Sequence, residues 1–265
     1  MSDRREAILK EMGLWPVWRL RRADGDAPSG PAPENAPPPV AQVIAVDNSQ
    51  ARLQSPITGH PSPPLDNRRA VIMRMDWPEL KASVASCVAC PLHAKRNKTV
   101  FGVGDENADW LFVGEGPGAD EDAQGEPFVG QAGKLLDNML AAIKLRRGDN
   151  VYIGNIVKCR PPGNRNPESA EALACEPYLH RQIELIGPKL IVALGKVAAA
   201  NLLAREASIA SLRGKLHQYR GIPLIVTYHP AYLLRSLSDK AKAWVDLCFA
   251  VDTMKDLKQH VSAST

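Results

Sequence analysis

The sequence lacks any apolar run long enough to cross a bilayer, which excludes a transmembrane helix. Its first residues, MSDRREAILKEMG, are charged and lack the apolar stretch of a secretory signal, so we expect a cytoplasmic chain. Cysteine is scarce, at five among 265 residues, and cysteines in a reducing compartment are metal ligands or buried thiols more often than disulfides. Aromatic residues make up only 5% of the chain, and we find no internal repeat.

Neither positive nor negative charge is in large excess. The net charge is +4 and the isoelectric point is about 8.8, which permits nucleic acid as a partner without indicating it. Hydrophobic residues form 45% of the chain, which is enough for a sizeable core.

The composition divides the chain into three parts. Ten of the 22 prolines fall between Pro28 and Pro64, so residues 23–75 are interpreted as an extended, disordered linker. Residues 1–22 form an amphipathic arm, which is a candidate contact for a protein partner. We expect the folded domain to cover residues 76–262 and to begin with a helix that Asp76 caps.

Short apolar runs alternate with helical patterns through the folded domain, which is typical of a parallel sheet covered on both faces. We therefore expect an α/β fold, with one three-layer α/β/α domain around a central four-stranded parallel sheet. The predicted strands are residues 110–113, 151–157, 190–194 and 223–227. The main predicted helices are residues 134–143, 168–186, 196–203 and 238–261.

A long polar segment, residues 114–133 (GEGPGADEDAQGEPFVGQAG), follows the first predicted strand. Ligands bind at this end of the strands in open α/β sheets, so the segment is predicted to be a functional loop. Its glycines match part of the dinucleotide fingerprint, but Ala119 stands at the third glycine position. The acids at 120–122 would repel a pyrophosphate and no helix is expected to begin there, so a nucleotide cofactor is a poor fit.

Polar residues also follow the other predicted strands, and these carboxyl ends should meet at one edge of the sheet. Glu115 could polarise a water molecule, and Glu121 or Asp122 could bind a polar ligand. Phe128 could stack on a base, Asn155 could read a base edge, and His229 could donate to a developing oxyanion. Each residue also has an ordinary structural alternative, namely a loop ion pair, an exposed turn, a core ring, a turn cap or a His-Pro turn.

Four cysteines have spacings that fit one metal site: Cys87, Cys90, Cys159 and Cys175. The two-residue spacer lets the first pair face one metal, and the second pair lies in a Pro-Gly loop and the helix after it. Four thiolates suit either tetrahedral zinc or an iron–sulfur cluster, and Pro91 directly after Cys90 is weak support for the cluster. The alternative is that these four cysteines are unrelated buried thiols. We interpret the fifth cysteine, Cys248, as a core thiol.

Taken together, these motifs resemble the family 4 uracil-DNA glycosylases, the iron–sulfur branch of the uracil-DNA glycosylase superfamily, over about residues 76–260. The resemblance rests on residues 114–133 together with NIVKCRPPGNRNP at 155–167, LIVALG at 190–195 and HPAYLLR at 229–235. It implies that the chain flips uracil out of DNA and hydrolyses its N-glycosidic bond, leaving an abasic site without a lyase step. Residues 1–75 lie outside the resemblance.

The resemblance also implies residue roles in a uracil pocket, which would be lined by Gly116, Glu121, Phe128, Asn155 and His229. Phe128 would stack on uracil and Asn155 would read its edge. His229 would donate to uracil O2 as negative charge builds on the leaving base. Glu115 would position the attacking water and steady the cationic sugar, and which of Glu115 and Glu121 dominates catalysis is left open.

One cofactor and one macromolecular partner are implied as well. The cofactor is a [4Fe–4S] cluster held by Cys87, Cys90, Cys159 and Cys175. The partner is uracil-containing DNA, double- or single-stranded, contacted through Arg160, Arg165, Lys196, Tyr232 and Arg235. We expect a monomer that acts on DNA at the nucleoid and does not bind a membrane.

Two other functions remain open. One is a binding module that holds uracil-containing or damaged DNA without turnover, and the other is a structural protein of the zinc-ribbon kind. A related branch traps uracil-DNA covalently through a histidine in an added basic loop. The segment after Asn155 has no such insertion and runs straight into KCRPPGNR, which favours turnover.

Overall fold

The computed structural model describes residues 65–262. The predicted arm and most of the predicted linker therefore lie outside the described residues. Helix α1, Leu65–Ile72, occupies the end of the linker stretch, so the folded part begins before Asp76. Its Arg69 bonds to Glu176 and, at 2.6 Å, to Nδ1 of His180, and these contacts hold α1 on the domain.

One sheet contains six strands in the described part of the chain: β1 Val103–Gly104, β2 Trp110–Gly114, β3 Val151–Asn155, β4 Leu190–Leu194, β5 His217–Tyr219 and β6 Ile222–Thr227. Their order is β1-β3-β2-β4-β6-β5, and the middle four are parallel. The predicted α/β class and its parallel centre are confirmed, but the strand count of four was too low. The outer strands β1 and β5 are antiparallel, short and incompletely buried, so no apolar run marked them.

The described residues form nine α-helices: α1, α2 Trp77–Ala85, α3 Ala119–Gln124, α4 Gln131–Ala142, α5 Ser169–Ile186, α6 Lys196–Leu203, α7 Ile209–Leu212, α8 Pro230–Leu233 and α9 Lys240–Ser262. Asp76 caps α2 as predicted, because its carboxylate accepts from Glu79 N–H at 3.0 Å. Helix α3 begins inside the segment expected to be loop. Glu121 permits this start, since its carboxylate accepts from Gly118 N–H at 3.0 Å and closes the first turn.

The three-layer arrangement follows from the alternation along β2. Leu111 and Val113 face one core with residues of α2, α5 and α6, whereas Trp110 and Phe112 face a second core with α4 and α9. All five residues of β2 are buried, as are those of β3 and β4, which explains their near-continuous apolar sequence. Within residues 65–262, no helix is long and apolar enough to cross a membrane.

Candidate active site

A cavity of about 440 Å³ lies where the parallel strands end. Its lining includes the predicted catalytic residue Glu115 and all five residues predicted for the uracil pocket: Gly116, Glu121, Phe128, Asn155 and His229. Two backbone hydrogen bonds continue the pairing of β2 and β3 beyond the strands, from Ile156 N–H to Gly114 at 3.0 Å and from Val157 N–H to Glu115 at 3.2 Å. These bonds hold Glu115 and Asn155 next to each other at the edge of the sheet.

Asn155 ends β3 and is only 2% exposed. Its Oδ1 has no hydrogen-bond partner in the described part of the protein. A buried, unpaired acceptor is costly, so this oxygen is suited to a donor that arrives with a ligand. Glycine at 114 leaves the necessary space, because a Cβ there would lie 2.5 Å from Asn155 Oδ1 and 2.6 Å from Phe128 Cζ.

Phe128 and His229 form one side of the cavity, with ring centroids 5.5 Å apart. His229 Nδ1 accepts from Ala231 N–H at 3.1 Å, so the proton of the neutral ring lies on Nε2. Burial, aided by the positive charge of Arg235, lowers the pKa of His229 to about 4. The imidazole is therefore a neutral donor at physiological pH.

The two candidate glutamates have different surroundings. Burial raises the pKa of Glu115, and no hydrogen bond from the described residues reaches its carboxylate. Glu121 is fully engaged: one oxygen accepts from Val129 N–H at 3.0 Å and Gly130 N–H at 3.1 Å, and the other closes α3. Glu115 is thus free to bind water, while Glu121 holds the backbone on both sides of the loop.

Three of the five predicted DNA contacts line the cavity: Arg165, Tyr232 and Arg235. Arg165 is also held by Glu171, with nitrogen–oxygen distances of 2.7 and 2.8 Å. The other two lie outside the lining. Arg160 bonds to Asn164 at 2.7 Å, and Lys196 lines a separate groove of about 580 Å³ between α5 and α6.

A separate, small pocket brings the four predicted cysteines together: Cys87, Cys90, Cys159 and Cys175. All four are free thiols, and Cys159 and Cys175 are buried. Within the described residues, no group of three or more His, Cys, Asp or Glu side chains is arranged to hold a metal ion.

Nitrogen donors surround these sulfurs. The pairs are Arg96 Nη1 with Cys159 Sγ at 3.1 Å, Arg68 Nη2 with Cys87 Sγ at 3.7 Å, and Lys158 N–H with Cys175 Sγ at 3.3 Å. Burial raises the pKa of the Cys175 thiol to about 12, and the positive charge and backbone N–H of Lys158 partly offset this. This donor set and positive surroundings fit an anionic, thiolate-ligated group.

Two buried residues whose bonding partners the sequence did not predict connect this cysteine pocket to the cavity. Asp122 of α3 is fully buried, and its carboxylate accepts from the backbone and the side chain of Asn97 at 2.9 and 2.6 Å. Lys158, next to Cys159, is also buried and donates from Nζ to the Asn155 carbonyl at 2.9 Å. In the sequence, Lys158 is visible only as the lysine of KCRPP. Its burial becomes evident only from the fold.

Comparison with known proteins agrees with this architecture. The family model of the uracil-DNA glycosylase superfamily matches residues 101–250. A type-4 uracil-DNA glycosylase of Archaeoglobus fulgidus is 48% identical over 164 residues, which cover 59% of this chain and 82% of the relative. Type-4 enzymes of Thermotoga maritima and Pyrobaculum aerophilum are 47% and 42% identical, over 60% and 65% of this chain and 83% and 92% of the relatives.

The α/β/α fold, the cavity at the strand ends and the matched region define a member of the uracil-DNA glycosylase superfamily. These three relatives, each aligned over at least 82% of its own length, are type-4 enzymes. The chain belongs to this type-4 family, and the resemblance read from its motifs is confirmed.

Proposed function

We propose that the cavity receives one uracil flipped out of DNA and that the surrounding side chains hydrolyse its N-glycosidic bond. As a type-4 family member the chain is a uracil-DNA glycosylase, and the proposal concerns how its residues divide the work. The observation that carries it is the buried, unpaired Oδ1 of Asn155 at the cavity wall.

Asn155 would recognise the base by its hydrogen-bonding edge. Uracil offers the N3–H donor to Oδ1 and the O4 acceptor to the amide nitrogen, which leaves both polar atoms of the side chain paired. Cytosine would place its N3 acceptor against Oδ1, and that mismatch leaves buried polar groups unpaired. Such mismatches are the strongest source of discrimination between similar ligands.

Phe128 would supply the stacking surface that replaces the neighbouring bases of the duplex. Its ring is almost buried and lies against His229, so a base entering the cavity meets an apolar face beside a polar edge. Glycine at 116 lets this part of the cavity wall pack closely against Val157, because a Cβ there would lie only 2.8 Å from Val157 Cγ2.

His229 would stabilise the departing base. When the bond from C1′ to N1 breaks, the electron pair leaves with N1 and negative charge spreads to O2. The Nε2–H of a neutral imidazole donates to that oxygen without first having to lose a proton. The low pKa of His229 keeps it in this form across the physiological range.

Glu115 would complete the reaction at the sugar. Its carboxylate faces the cavity without a competing hydrogen bond, so it can accept from a water and stabilise the positive charge that develops at C1′. Water oxygen then bonds to C1′, and its proton passes to the carboxylate. We assign Glu121 a holding role, since its two oxygens are already occupied by three backbone N–H groups.

DNA would approach through the cavity mouth, where Arg165, Tyr232 and Arg235 offer cationic and hydroxyl contacts to phosphates. Because Arg165 is already paired with Glu171, Arg235 is the stronger candidate for a phosphate contact. The expected monomeric state and nucleoid location stay predictions.

The cysteine pocket would hold a [4Fe–4S] cluster through Cys87, Cys90, Cys159 and Cys175. The support is the shared pocket, the four-thiol donor set and the N–H groups directed at the sulfurs. When bound, such a cluster would supply a structural cross-link between the segment after α2, the loop that carries Cys159 and helix α5. Hydrolysis transfers no electrons, so the proposal gives the cluster no step in the reaction.

A base-release assay combined with iron analysis tests this function. Oligonucleotides with U:G, U:A or single-stranded uracil should release free uracil, and matched thymine or cytosine strands should release no base. The protein should contain about four irons and absorb broadly in the visible range. A stable complex with uracil-DNA but no free uracil would instead establish the binding-module alternative, and stoichiometric zinc without iron would exclude the cluster.

A further inference from the structure

Phe128 has an unusual backbone conformation for a bulky residue. Its φ is +56°, in the left-handed region that side chains other than those of glycine, asparagine and aspartate seldom adopt. Strained conformations of this kind persist only where surrounding contacts enforce them, and they concentrate at functional sites. The contacts that hold Phe128 in this conformation therefore bear on how its ring is presented.

Arg147 provides the polar part of that support. It follows α4 in sequence, and its guanidinium reaches back to two consecutive carbonyls, with Nη1 to Pro127 at 2.7 Å and Nη2 to Phe128 at 2.8 Å. The same group is anchored to Oδ1 of Asp137 on α4, from Nε at 3.1 Å and Nη2 at 3.0 Å. The side chain of Arg147 is mostly buried by these contacts, at 22% exposure.

Helix α4 supports the same carbonyl by packing. A Cβ on Gly133 would lie 1.7 Å from the Phe128 oxygen, so the helix backbone touches this carbonyl directly. The Phe128 carbonyl is thus held by Gly133 through van der Waals contact and by Arg147 through hydrogen bonding. With the carbonyl held, the ring is directed towards Gly114 and His229.

The contact set requires arginine in particular. A planar guanidinium presents several donors in fixed directions and can serve two carbonyls and a carboxylate at once, whereas an ammonium is a point charge. Its neighbour Arg146 has the same charge but a side chain that is 81% exposed and pairs with Asp149 on the surface. Arg146 is therefore a matched control for the loss of a cation in this loop.

We infer that Arg147 is a positioning residue for base recognition: by holding the carbonyls of Pro127 and Phe128 it keeps the Phe128 ring in the orientation that stacks on uracil. This inference rests on the proposed function, in which Phe128 contacts the base. Arg147 itself does not line the cavity.

The test uses a duplex with 2′-fluoro-2′-deoxyuridine, whose glycosidic bond resists cleavage, and a thymine duplex of the same sequence. The measured quantity is the ratio of the two affinities, because loss of a cation weakens both complexes equally while loss of stacking weakens only the uracil complex. We expect Arg147→Ala and Arg147→Lys each to lower this ratio about tenfold, and Arg146→Ala to leave it unchanged.

The same variants in a Phe128→Ala background separate positioning from any direct effect. Once the ring is gone, Arg147→Ala should change the ratio less than twofold, because coupled residues are not additive. An equal further loss in that background, or an equal loss for Arg146→Ala, would overturn the inference. Asp137→Ala, which removes the anchor and leaves the carbonyl contacts, should lower the ratio in the same direction and covers the case in which Arg147→Ala fails to fold.

The outcome at Phe128 distinguishes the two levels of the proposal. If Phe128→Ala alone leaves the ratio unchanged, the stacking role in the proposed function is wrong. If Phe128→Ala lowers the ratio but Arg147→Ala and Arg147→Lys leave it unchanged, the stacking role stands and the positioning role of Arg147 is wrong.

Discussion

The cavity and the cysteine pocket use polar groups in opposite ways. At the cavity, Asn155 Oδ1 and the Glu115 carboxylate have no hydrogen-bond partner among the described residues. At the cysteine pocket, the sulfurs of Cys159 and Cys175 each receive an N–H from a fixed neighbour. A site for a ligand that binds and leaves keeps hydrogen-bonding groups unpaired, whereas a site for a permanently bound group surrounds that group with donors.

The two regions are nevertheless joined by α3. Glu121 on this short helix accepts from the backbone N–H groups of Val129 and Gly130, which directly follow Phe128. The next residue, Asp122, holds Asn97, which directly follows Arg96, the donor to Cys159. We call the cavity the open site, the cysteine pocket the closed site and α3 the link between them. Four experiments test this division.

The largest effect is expected for Glu115→Gln. Loss of the base that orients water should slow uracil release by roughly 10² to 10⁴-fold. The melting temperature should not fall, because a buried carboxylate without partners is replaced by a neutral amide. Single-turnover base release and thermal unfolding measure the two quantities. Glu126→Gln, exposed on the same loop, is the control, and a near-normal rate for Glu115→Gln would move the water-orienting role elsewhere.

Cys159→Ser should instead act on the fold. Removing one ligand of a structural metal group costs several kcal/mol of folding free energy, so iron content, visible absorbance and melting temperature should all fall together. Cys248→Ser, in α9 and outside the pocket, should leave all three unchanged. If cluster-free Cys159→Ser protein stays folded and fully active, the closed site is dispensable and the comparison fails.

Asp122→Asn tests the link. The amide would turn donors towards Asn97, so unfolding free energy should fall by ~1–3 kcal/mol. Because α3 also carries Glu121, uracil release should slow while iron content stays full. Asp120→Asn, exposed on the same helix, is the matched control. Equal effects of the two substitutions would show that α3 does not connect the sites.

The smallest effect concerns pH and His229. Its pKa is about 4 in the folded protein against an ordinary value of 6.5, so between these values the unfolded chain binds more protons. Stability present above pH 6.5 should therefore be lost as pH falls towards 4, by ~1–2 kcal/mol at pH 5. Denaturant unfolding at pH 7 and 5 should show a weaker pH dependence for His229→Gln. An unchanged pH dependence would contradict the burial of a neutral imidazole.

Much of the fold was predictable because its signals are local. The apolar runs predicted the four central strands, and the cysteine spacing predicted four thiols that do share a pocket. The order of the motifs, rather than any one of them, predicted the family. Strands β1 and β5 escaped because two or three incompletely buried residues have no periodicity to detect.

The supporting contacts were not predictable, because their partners are distant in sequence. Arg147 bonds to a carbonyl 19 residues earlier, and Asp122 bonds to an amide 25 residues earlier. In the sequence, Asp122 counted as one of three acids that argue against phosphate and, with Glu121, as a candidate contact for a polar ligand, but neither interpretation predicted its bond to Asn97. The segment 114–133 was expected to be loop throughout, and α3 shows how one capping glutamate can convert part of such a segment into a helix.

The separation of the cysteines along the chain has a consequence for the order of synthesis. Cys87 and Cys90 leave the ribosome first, and Cys175 follows on the order of ten seconds later at ordinary elongation rates. By then β2, α3, α4 and β3, which carry most of the cavity, have all been made. Insertion of the proposed cluster would therefore be a late event in the synthesis of the chain, after most of the cavity has been made.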